Sequence, residues 1–205
     1  MSTIERKTDR RVVKTKKALY EALISLMINK EFREITVTDL VEHADINRGT
    51  FYKHYQYKED LLNEVINEVM SDLVKSYRKP YENVDTFVIS ELTPPAIKIF
   101  EHVARHSKFY SIVVNSNALP GFQNRIFNEI KSLARQDIQP CSPNSKINKE
   151  LFDSYHAYAV LGMIVEWVQG GFKYSPTYMA EQLLEIMNEN PMQAICKVKT
   201  TEKLY

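Results

Sequence analysis

Apolar residues recur at intervals of three and four along the first third of the chain. The residues on three such stripes are Ala18, Leu19, Ala22, Leu23, Leu26 and Met27, then Val37, Leu40, Val41 and Ala44, then Leu61, Leu62, Val65, Ile66, Val69, Met70, Leu73 and Val74. Because an α-helix turns once every ~3.6 residues, this spacing gathers them on one side, and each stripe predicts a half-buried helix. Prolines fall between the periodic segments, and we find no convincing strand alternation. The pattern therefore predicts an all-α fold.

Helical segments also follow in the second half, where the pattern is coarser. We predict helices over residues 95–106, 108–116, 122–139, 148–169 and 177–190, bounded largely by proline and glycine. The segment at 157–168 reads AYAVLGMIVEWV and is apolar nearly all round, interrupted by Glu166. Such a helix must be buried on several sides. One side can face its own core and another a second subunit, and Gly162 would let helices approach closely.

The stretch TVTDLVEHADINRGTFYKHYQYK has the features of two helices joined by a tight turn. Thr36 and Asp39 have capping-box spacing, with Asp in place of the usual Glu or Gln. Residues 45–47 form the turn, and Asn47 can cap a second helix over 48–55. The side chains that can point inward are Ile46, Phe51 and Tyr55. Two short helices with a three-residue turn predict a helix-turn-helix.

The outward side of this second helix carries groups suited to DNA. These residues are Asn47, Arg48, Thr50, Tyr52, Lys53 and His54. Arg can donate two hydrogen bonds to guanine, and Asn can pair with adenine if its side chain is not capping the helix. Gly49 costs about 1 kcal/mol against Ala in a helix, which favours close approach of a DNA backbone. Tyr52, His54 and Lys58 would then contact phosphates. A plain helical hairpin with a polar face is the alternative on these residues alone.

Positive charge is concentrated at the start of the chain. Residues 1–17 contain seven Lys and Arg against two acidic residues, a net charge of +5 in a chain whose net charge is +1. The basic residues are Arg6, Lys7, Arg10, Arg11, Lys14, Lys16 and Lys17. A basic arm on an otherwise near-neutral protein indicates local contact with a polyanion. A solvated tail is an equally good alternative from charge alone.

The longer stretch KEFREITVTDLVEHADINRGTFYKHYQYKEDLL resembles the helix-turn-helix signature of the TetR family. The matching features are an aromatic residue after the first helix (Phe32), the Ile-Thr-Val run, the RGTFYKHY core and the Lys-Glu-Asp-Leu-Leu start of the fourth helix. The chain departs from the family at Tyr55, where Phe is common, and at Gln56 and Tyr57, where Gly-Ser or Asp-Ser is common. The resemblance covers residues 12–65 and implies a DNA-binding fold.

The resemblance also implies how these residues are used. Asn47, Arg48 and Gly49 would face bases, and Lys53 would face either bases or phosphates. The residues facing phosphates or the groove wall would be Thr36, Thr38, Thr50, Tyr52, His54 and Lys58. The basic arm would follow a flanking phosphate or the minor groove, as in other helix-turn-helix proteins.

Two domains and about nine helices follow from the same resemblance. Residues 1–57 would form the helix-turn-helix domain, and residues 58–205 the bundle for dimerisation and ligand binding. The chain would then be a ligand-responsive repressor that binds a palindromic operator in double-stranded DNA as a homodimer. The segment EWVQGGFKYSP resembles the C-terminal part of one subgroup of such regulators. The alternative is a TetR-like coactivator or protein-interaction factor whose helix-turn-helix does not bind DNA.

Two sets of residues in the second domain are candidates for further roles. A ligand pocket would be lined by Phe100, Val103, Phe109, Tyr110, Val113, Phe122, Phe127, Tyr155, Tyr158 and Trp167. An ordinary aromatic core explains the same residues equally well, and an aromatic lining would favour a small apolar or aromatic effector. A dimer interface of two helices from each subunit would contain Gly162, Met163, Glu166, Met179, Leu183, Ile186 and Met187.

Several other classes of function are disfavoured. No catalytic motif is recognisable, so we expect no enzyme activity and no cofactor. His102 and His106 lie four residues apart and could face one metal, but no third ligand is evident and we expect no metal site. Cys141 and Cys196 predict no disulfide. The charged N-terminus shows no secretory signal and no apolar run is long enough to span a membrane, which favours a cytoplasmic, nucleoid-associated protein without a membrane partner.

Overall fold

Nine α-helices and no β-strand occur in the parts of the chain that the computed structural model describes: residues 3–82, 91–115, 119, 121–137 and 146–188, with side chains from Arg10 onward. The helices are α1 (Thr3–Met27), α2 (Val37–His43), α3 (Arg48–Tyr52), α4 (Lys58–Arg78), α5 (Ile99–Arg105), α6 (Ser107–Asn115), α7 (Phe122–Asp137), α8 (Lys149–Gln169) and α9 (Pro176–Asn188). Short 3-10 turns lie at Phe32–Glu34, Lys79–Tyr81 and Pro94–Ala96. The predicted all-α fold is confirmed.

The first three helices enclose a small apolar core that α4 completes. Leu19 and Leu23 of α1, Leu40 of α2 and Phe51 of α3 are fully buried, and Leu61 of α4 is 1% exposed. These residues lie on the stripes that predicted the helices, except Phe51, which was predicted from the helix-turn-helix itself. The periodicity is therefore explained by burial of one side of each helix.

Helix α4 links these helices to the rest of the molecule. It contacts α1, α5 and α7, while α8 packs against α6 and α7, and α9 packs against α5. A single hydrophobic cluster runs from Leu19 in α1 through Leu73 in α4 to Leu184 in α9. Because the core is continuous, a displacement of the helices packed on α4 can reach the helix-turn-helix.

Two predicted helices have different limits in the structure. The segment at 95–106 is interrupted at Ile97, whose extended backbone (φ −78°, ψ 96°) separates the 3-10 turn from α5. The N–H groups of Ala96 and Ile97 donate to the carbonyls of Thr93 and Pro94 at 2.9 and 3.1 Å, which are the i→i−3 bonds of a 3-10 turn and not those of an α-helix. Helix α3 ends at Tyr52, three residues earlier than predicted.

Some predictions fall outside the described residues. These are the last residues of the predicted helices at 108–116, 122–139 and 177–190, and both cysteines. Among the helices that are described, none combines the length and the apolar character needed to cross a membrane.

Candidate nucleic-acid interface

The start of α2 is fixed by the predicted capping box. The backbone N–H of Asp39 donates to Thr36 Oγ1 at 3.1 Å, and the backbone N–H of Thr36 donates to Asp39 Oδ2 at 2.7 Å. Hydrogen bonds from the side chain and backbone of Thr36 hold the pKa of Asp39 below its ordinary value. The first turn of α2 is therefore stabilised by side chains of its own segment.

The end of α2 sets the direction in which the chain enters α3. Asp45 has a left-handed backbone (φ 52°), and its N–H donates to the Glu42 carbonyl at 3.2 Å. The next N–H, of Ile46, reaches the Val41 carbonyl at 3.0 Å. These two bonds form a Schellman motif, with Asp in the position that glycine usually takes. The predicted three-residue turn at 45–47 is thus a helix C-cap followed directly by an N-cap.

Asn47 caps α3, and this use of its side chain bears on its predicted role. Its Oδ1 accepts from the Gly49 N–H at 2.7 Å. A Cβ added at Gly49 would lie 3.1 Å from that oxygen, so a side chain there would crowd the cap. The contact with Asn47 therefore favours glycine at this position, in addition to the predicted close approach of DNA. Because Oδ1 is already engaged, Asn47 is poorly placed for two-bond recognition of adenine.

Helix α3 has one buried and one exposed side. Phe51 is fully buried, Tyr55 is 5% exposed, and their rings lie 5.6 Å apart, while Ile46 packs against the same core. On the other side, Arg48 Nη2 lies 3.4 Å from Tyr52 Oη, and its guanidinium lies 5.7 Å from the ring centre. Of the predicted DNA contacts, the exposed ones are Thr36, Thr38, Asn47, Arg48, Gly49, Tyr52 and Lys53, and the partly buried ones are Thr50, His54 and Lys58.

Lys58 has a role within the chain that the sequence did not predict. Its Nζ donates to the backbone carbonyls of Phe32, Arg33 and Ile35 at 2.8, 3.1 and 2.7 Å. The same Nζ lies 4.7 Å from the centre of the Phe32 ring. An ammonium group has three N–H donors, and three carbonyls use them. Lys58 thereby joins the start of α4 to the 3-10 turn before α2, and a phosphate would have to compete with these bonds.

The basic start of the chain is helical from Thr3 and continuous with α1. Arg10, Arg11, Lys14 and Lys17 are exposed, whereas the side chains of Arg6 and Lys7 lie outside the described residues. Lys16 is the exception, because its Nζ donates to both Glu64 carboxylate oxygens at 2.8 and 2.9 Å. The predicted arm therefore takes the form of a positively charged stretch of helix, and Lys16 serves to attach α1 to α4.

Comparison with known families gives the identity of this arrangement. Residues 15–65 match the model described as "Bacterial regulatory proteins, tetR family", and residues 90–189 match that of a "Transcriptional regulator C-terminal region". The chain belongs to the TetR family of transcriptional regulators. The first match covers α2 and α3 with their caps, so the resemblance read from the sequence is confirmed.

Individual relatives of this TetR-family protein are distant. The "Uncharacterized HTH-type transcriptional regulator YxbF" of Bacillus subtilis is 22% identical over 170 residues, covering 82% of this chain and 43% of the relative. The dhaKLM operon transcriptional activator DhaS of Lactococcus lactis is 32% identical over 60 residues, covering 29% of this chain and 32% of the relative. The matched part of the chain thus spans less than half the length of these curated relatives.

Solved structures share the fold along most of the chain. A TetR transcriptional regulator from Streptococcus agalactiae 2603V gives a TM-score of 0.56 at 23% identity, with 90% of this chain and 99% of that chain covered. A putative fatty acid metabolism regulator from Clostridium perfringens gives 0.58 at 16% identity, with 82% and 94% covered. Similarity at these identities establishes the TetR fold.

The aromatic residues predicted to line a ligand pocket separate into two groups. Phe100 packs edge-on against Trp167 at 5.9 Å, and Phe109 against Phe122 at 5.2 Å. The buried members of the set are Phe100, Val103, Phe109, Tyr110, Val113, Phe122 and Trp167, and Phe127 packs partly buried against them. Tyr155 and Tyr158 are 69% and 59% exposed, and the ring of Tyr158 stacks on Phe127 with ring centres 3.9 Å apart. The pocket lining stays a prediction, with these two tyrosines outside the buried group. Both tyrosines belong to α8, and because this helix is apolar nearly all round, its sequence does not indicate which side faces outward.

Helix α8 leaves a mostly apolar side uncovered in the single chain. The exposed residues along it are Leu151, Phe152, Tyr155, Tyr158, Ala159, Gly162 and Glu166. An open groove of about 400 Å³ beside this side is lined by Gly162, Met163, Glu166, Tyr174, Tyr178, Met179 and Gln182, which we call the α8–α9 surface. Four predicted interface residues lie in it. Of the other three, Leu183 is 8% exposed, and Ile186 and Met187 are exposed further along α9.

Asp72 is a residue of chemical interest that the sequence interpretation missed. Its Oδ2 lies 2.8 Å from His102 Nδ1, 3.1 Å from His106 Nε2 and 2.7 Å from Arg105 Nη1. Asp72 is thus a third group that could bind a metal with the two histidines, and the sequence does not make it evident. Asp72 lies 30 and 34 residues before them, so only the packing of α4 against α5 reveals the contact. Asp72 is a polar residue within the apolar stripe of α4, and this interruption of the stripe is the sequence feature that could have indicated its role.

The electrostatics of this cluster favour a neutral His102 beside an ionised Asp72. Burial lowers the pKa of His102 to about 4, although its hydrogen bond to Asp72 acts in the opposite direction. Burial acts against ionisation of Asp72, but hydrogen bonds from His102 and His106 and the charge of Arg105 together leave its pKa below the ordinary value. His102 Nε2 lies 2.9 Å from the hydroxyl of Tyr110, whose pKa is raised by burial.

Proposed function

We propose that this TetR-family chain is a ligand-responsive repressor that binds a palindromic operator in double-stranded DNA as a homodimer. The observation that carries the proposal is the exposed side of α3. Phe51 lies on the side of α3 that faces the core, and Asn47 caps the start of the helix. The side chains that face outward are hydrogen-bonding and basic groups. We divide the protein at α4, with a helix-turn-helix domain at 1–57 and a dimerisation and ligand-binding domain at 58–205.

In this proposal Arg48 reads a base, because it is the exposed residue of the first turn of α3 with two parallel N–H donors. Gly49 allows the helix N-terminus to approach the groove. The residues assigned to phosphates and the groove wall are Thr36, Thr38, Thr50, Tyr52, Lys53 and His54. The exposed basic residues of α1 extend the contact along the flanking backbone.

Arg48→Ala is expected to weaken binding to the preferred sequence by roughly 1–3 kcal/mol and to relax the preference at one base pair, because the side chain that distinguishes the bases is gone. The measurement is selection of bound duplexes from a random pool at near-physiological salt, for wild type and variant. Arg33→Ala, at an exposed arginine outside α3, is the control and should keep the wild-type motif. Equal loss of affinity for all sequences would show that Arg48 does not read a base.

Lys53→Ala is expected to change DNA binding but not stability, whereas Lys58→Ala is expected to lower stability. Lys53 is exposed, so its loss should leave stability within about 0.5 kcal/mol and reduce the salt dependence of DNA binding by about one phosphate contact. Lys58→Ala leaves three carbonyls without their donor and should lower the free energy of unfolding by about 1–3 kcal/mol. Urea denaturation and salt-dependent DNA titration give the two readouts. Unchanged stability in Lys58→Ala would refute the internal role of that lysine.

The homodimer is proposed on the α8–α9 surface and the adjoining apolar side of α8. Exposed apolar residues at helical spacing on a 21-residue helix are a large uncovered area for a single chain. Two helices from each subunit, related by a twofold axis, would bury it and would place two copies of α3 to meet successive major grooves.

Ligand response is proposed through α4. An effector that binds one arrangement of the bundle better than another would shift the protein toward it and move the helix-turn-helix through the continuous core. The aromatic residues between α5, α6 and α8 favour a small apolar or aromatic effector, and binding would require these packed rings to part. An operator affinity that stays the same with every tested ligand would contradict this part of the proposal.

A second candidate function is a coactivator that does not use its helix-turn-helix on DNA. It draws on the name of the Lactococcus lactis relative, an operon activator, which shares 32% identity over 60 residues. The exposed Arg48, Tyr52 and Lys53 favour DNA binding instead. The duplex selection bears on both candidates. An enriched palindrome supports sequence-specific binding as a dimer and contradicts the coactivator. The absence of enrichment with an intact dimer leaves two options: a bound effector or a missing corepressor holds the protein in its non-binding state, or the protein is a coactivator.

A further inference from the structure

Two histidines and one aspartate lie where α4 meets α5 and the start of α6, away from the DNA and dimer surfaces proposed above. One ligand atom from each of Asp72, His102 and His106 lies within 4.8 Å of the others. His102 Nδ1 and His106 Nε2 both point at Asp72 Oδ2, at 2.8 and 3.1 Å. Imidazole nitrogens with a carboxylate are a donor set that zinc and other first-row divalent cations bind.

We propose that Asp72, His102 and His106 form a binding site for one divalent cation of the zinc class. With zinc–ligand bonds of about 2.0–2.1 Å, two ligand atoms of a tetrahedral ion lie roughly 3.4 Å apart. The two distances to Asp72 Oδ2 therefore need to lengthen by only about 0.3–0.6 Å. The histidine nitrogens need to approach each other from at most 4.8 Å. Small side-chain rotations supply these changes without moving a helix.

The ring nitrogens that would not bind the cation already face oxygen atoms. His102 Nε2 lies 2.9 Å from Tyr110 Oη, and His106 Nδ1 lies 3.5 Å from Tyr20 Oη. Histidine ligands in metal sites usually donate their second N–H to an oxygen, which fixes the ring. Binding of the cation through His102 Nδ1 and His106 Nε2 leaves both other nitrogens protonated and donating to these phenols. Because Tyr20 belongs to α1, the site connects the first helix to α4 and the bundle.

A cavity of about 340 Å³ gives solvent access to the cluster. It is lined by Glu68, Ser71, Asp72, Lys75, Arg105 and His106. His102 is fully buried and lies behind Asp72. A cation can therefore enter from the side of Asp72 and His106, and water in the cavity can fill its remaining coordination positions. Besides Asp72 and Arg105, this cavity is lined by one negative side chain, Glu68, and one positive side chain, Lys75.

Arg105 is the group that competes with the cation. Its Nη1 donates to Asp72 Oδ2 at 2.7 Å, and its side chain is 58% exposed. A divalent cation on the same oxygen would displace the guanidinium, which can turn into solvent on its long side chain. Removal of the arginine charge should therefore tighten cation binding, which gives the proposal a variant with an expected gain.

The test is a Co²⁺ titration of the 205-residue chain, without an affinity tag and after treatment with a chelator, followed by visible d–d absorption. We expect one Co²⁺ per chain and loss of the signal when Zn²⁺ is added. His106→Gln should weaken binding at least about tenfold. Arg105→Gln should tighten it by up to roughly thirtyfold, the effect of removing one positive charge about 4 Å from a divalent ion in water. His156→Gln, at another partly buried histidine, should bind as wild type does.

The outcomes separate a cation site from a purely structural hydrogen-bond cluster. No saturable one-to-one signal in the wild type, or equal binding by His106→Gln, would overturn the proposal. Unchanged or weaker binding by Arg105→Gln would overturn the geometry in which the cation takes the place of the guanidinium. A partly unfolded variant cannot bind more tightly at this site, so a gain in Arg105→Gln supports the proposal. None of these readouts depends on DNA.

Discussion

Gly162→Glu is expected to make the protein monomeric and to weaken binding to a full operator by roughly 10²–10⁴-fold, the gain that joint binding of two half-sites gives. In a twofold interface the new carboxylate appears on both subunits, beside Glu166. Burying unpaired charges there costs about 3–5 kcal/mol. Within one chain, nothing lies within 4 Å of a Cβ at Gly162, and glutamate favours a helix more than glycine does. The change therefore acts on the interface and spares the fold.

Light scattering measures this result directly, since the chain has a mass of 23.9 kDa and the dimer twice that. Asn128→Glu, which adds the same charge at an exposed position of α7, is the control and should remain dimeric. A Gly162→Glu protein with the mass of a dimer would place the twofold contact away from the α8–α9 surface. A monomer with undiminished operator affinity would show that the half-sites are not bound jointly.

The helix-turn-helix could be predicted from the sequence because its determinants are local. Thr36 and Asp39 are three residues apart and Asn47 and Gly49 are two apart, so both caps follow from spacing. Lys58 illustrates the limit of this reasoning. The sequence and its family resemblance predict a phosphate contact for it. Its partners are carbonyls 23 to 26 residues away, on a 3-10 turn that has no periodic signal.

The bundle was less predictable because its contacts join distant segments. The apolar run of α8 correctly predicted a helix, but the single chain buries only one side of it, and Tyr155 and Tyr158 lie on the uncovered side. Spacing brought His102 and His106 together as residues of neighbouring turns. Asp72 belongs to another helix, and its contact with both depends on how α4 crosses α5. Periodicity determines which residues share a side of a helix and leaves the partner of that side undetermined.

Phe51→Ala is expected to lower the free energy of unfolding by about 3–5 kcal/mol, a large part of the stability of a typical domain. Helix α3 has only five residues, and a helix that short is not stable by itself. It is held by the cap at Asn47 and by the fully buried ring of Phe51, which contacts Tyr55 beneath it. Removal of the ring leaves a cavity in the small core and detaches the side of α3 opposite the proposed DNA contacts.

Tyr52→Ala is the matched control for this prediction, since Tyr52 is adjacent in sequence but half-exposed. It should cost less than about 1 kcal/mol of stability while weakening DNA binding. Urea denaturation can be followed by circular dichroism for all helices and by the fluorescence of Trp167, the single tryptophan, for the bundle. Because the core is continuous through α4, both signals of Phe51→Ala should shift together. A shift in circular dichroism alone would mean that the helix-turn-helix unfolds independently of the bundle, and the proposed transmission through α4 would then lack its mechanical basis.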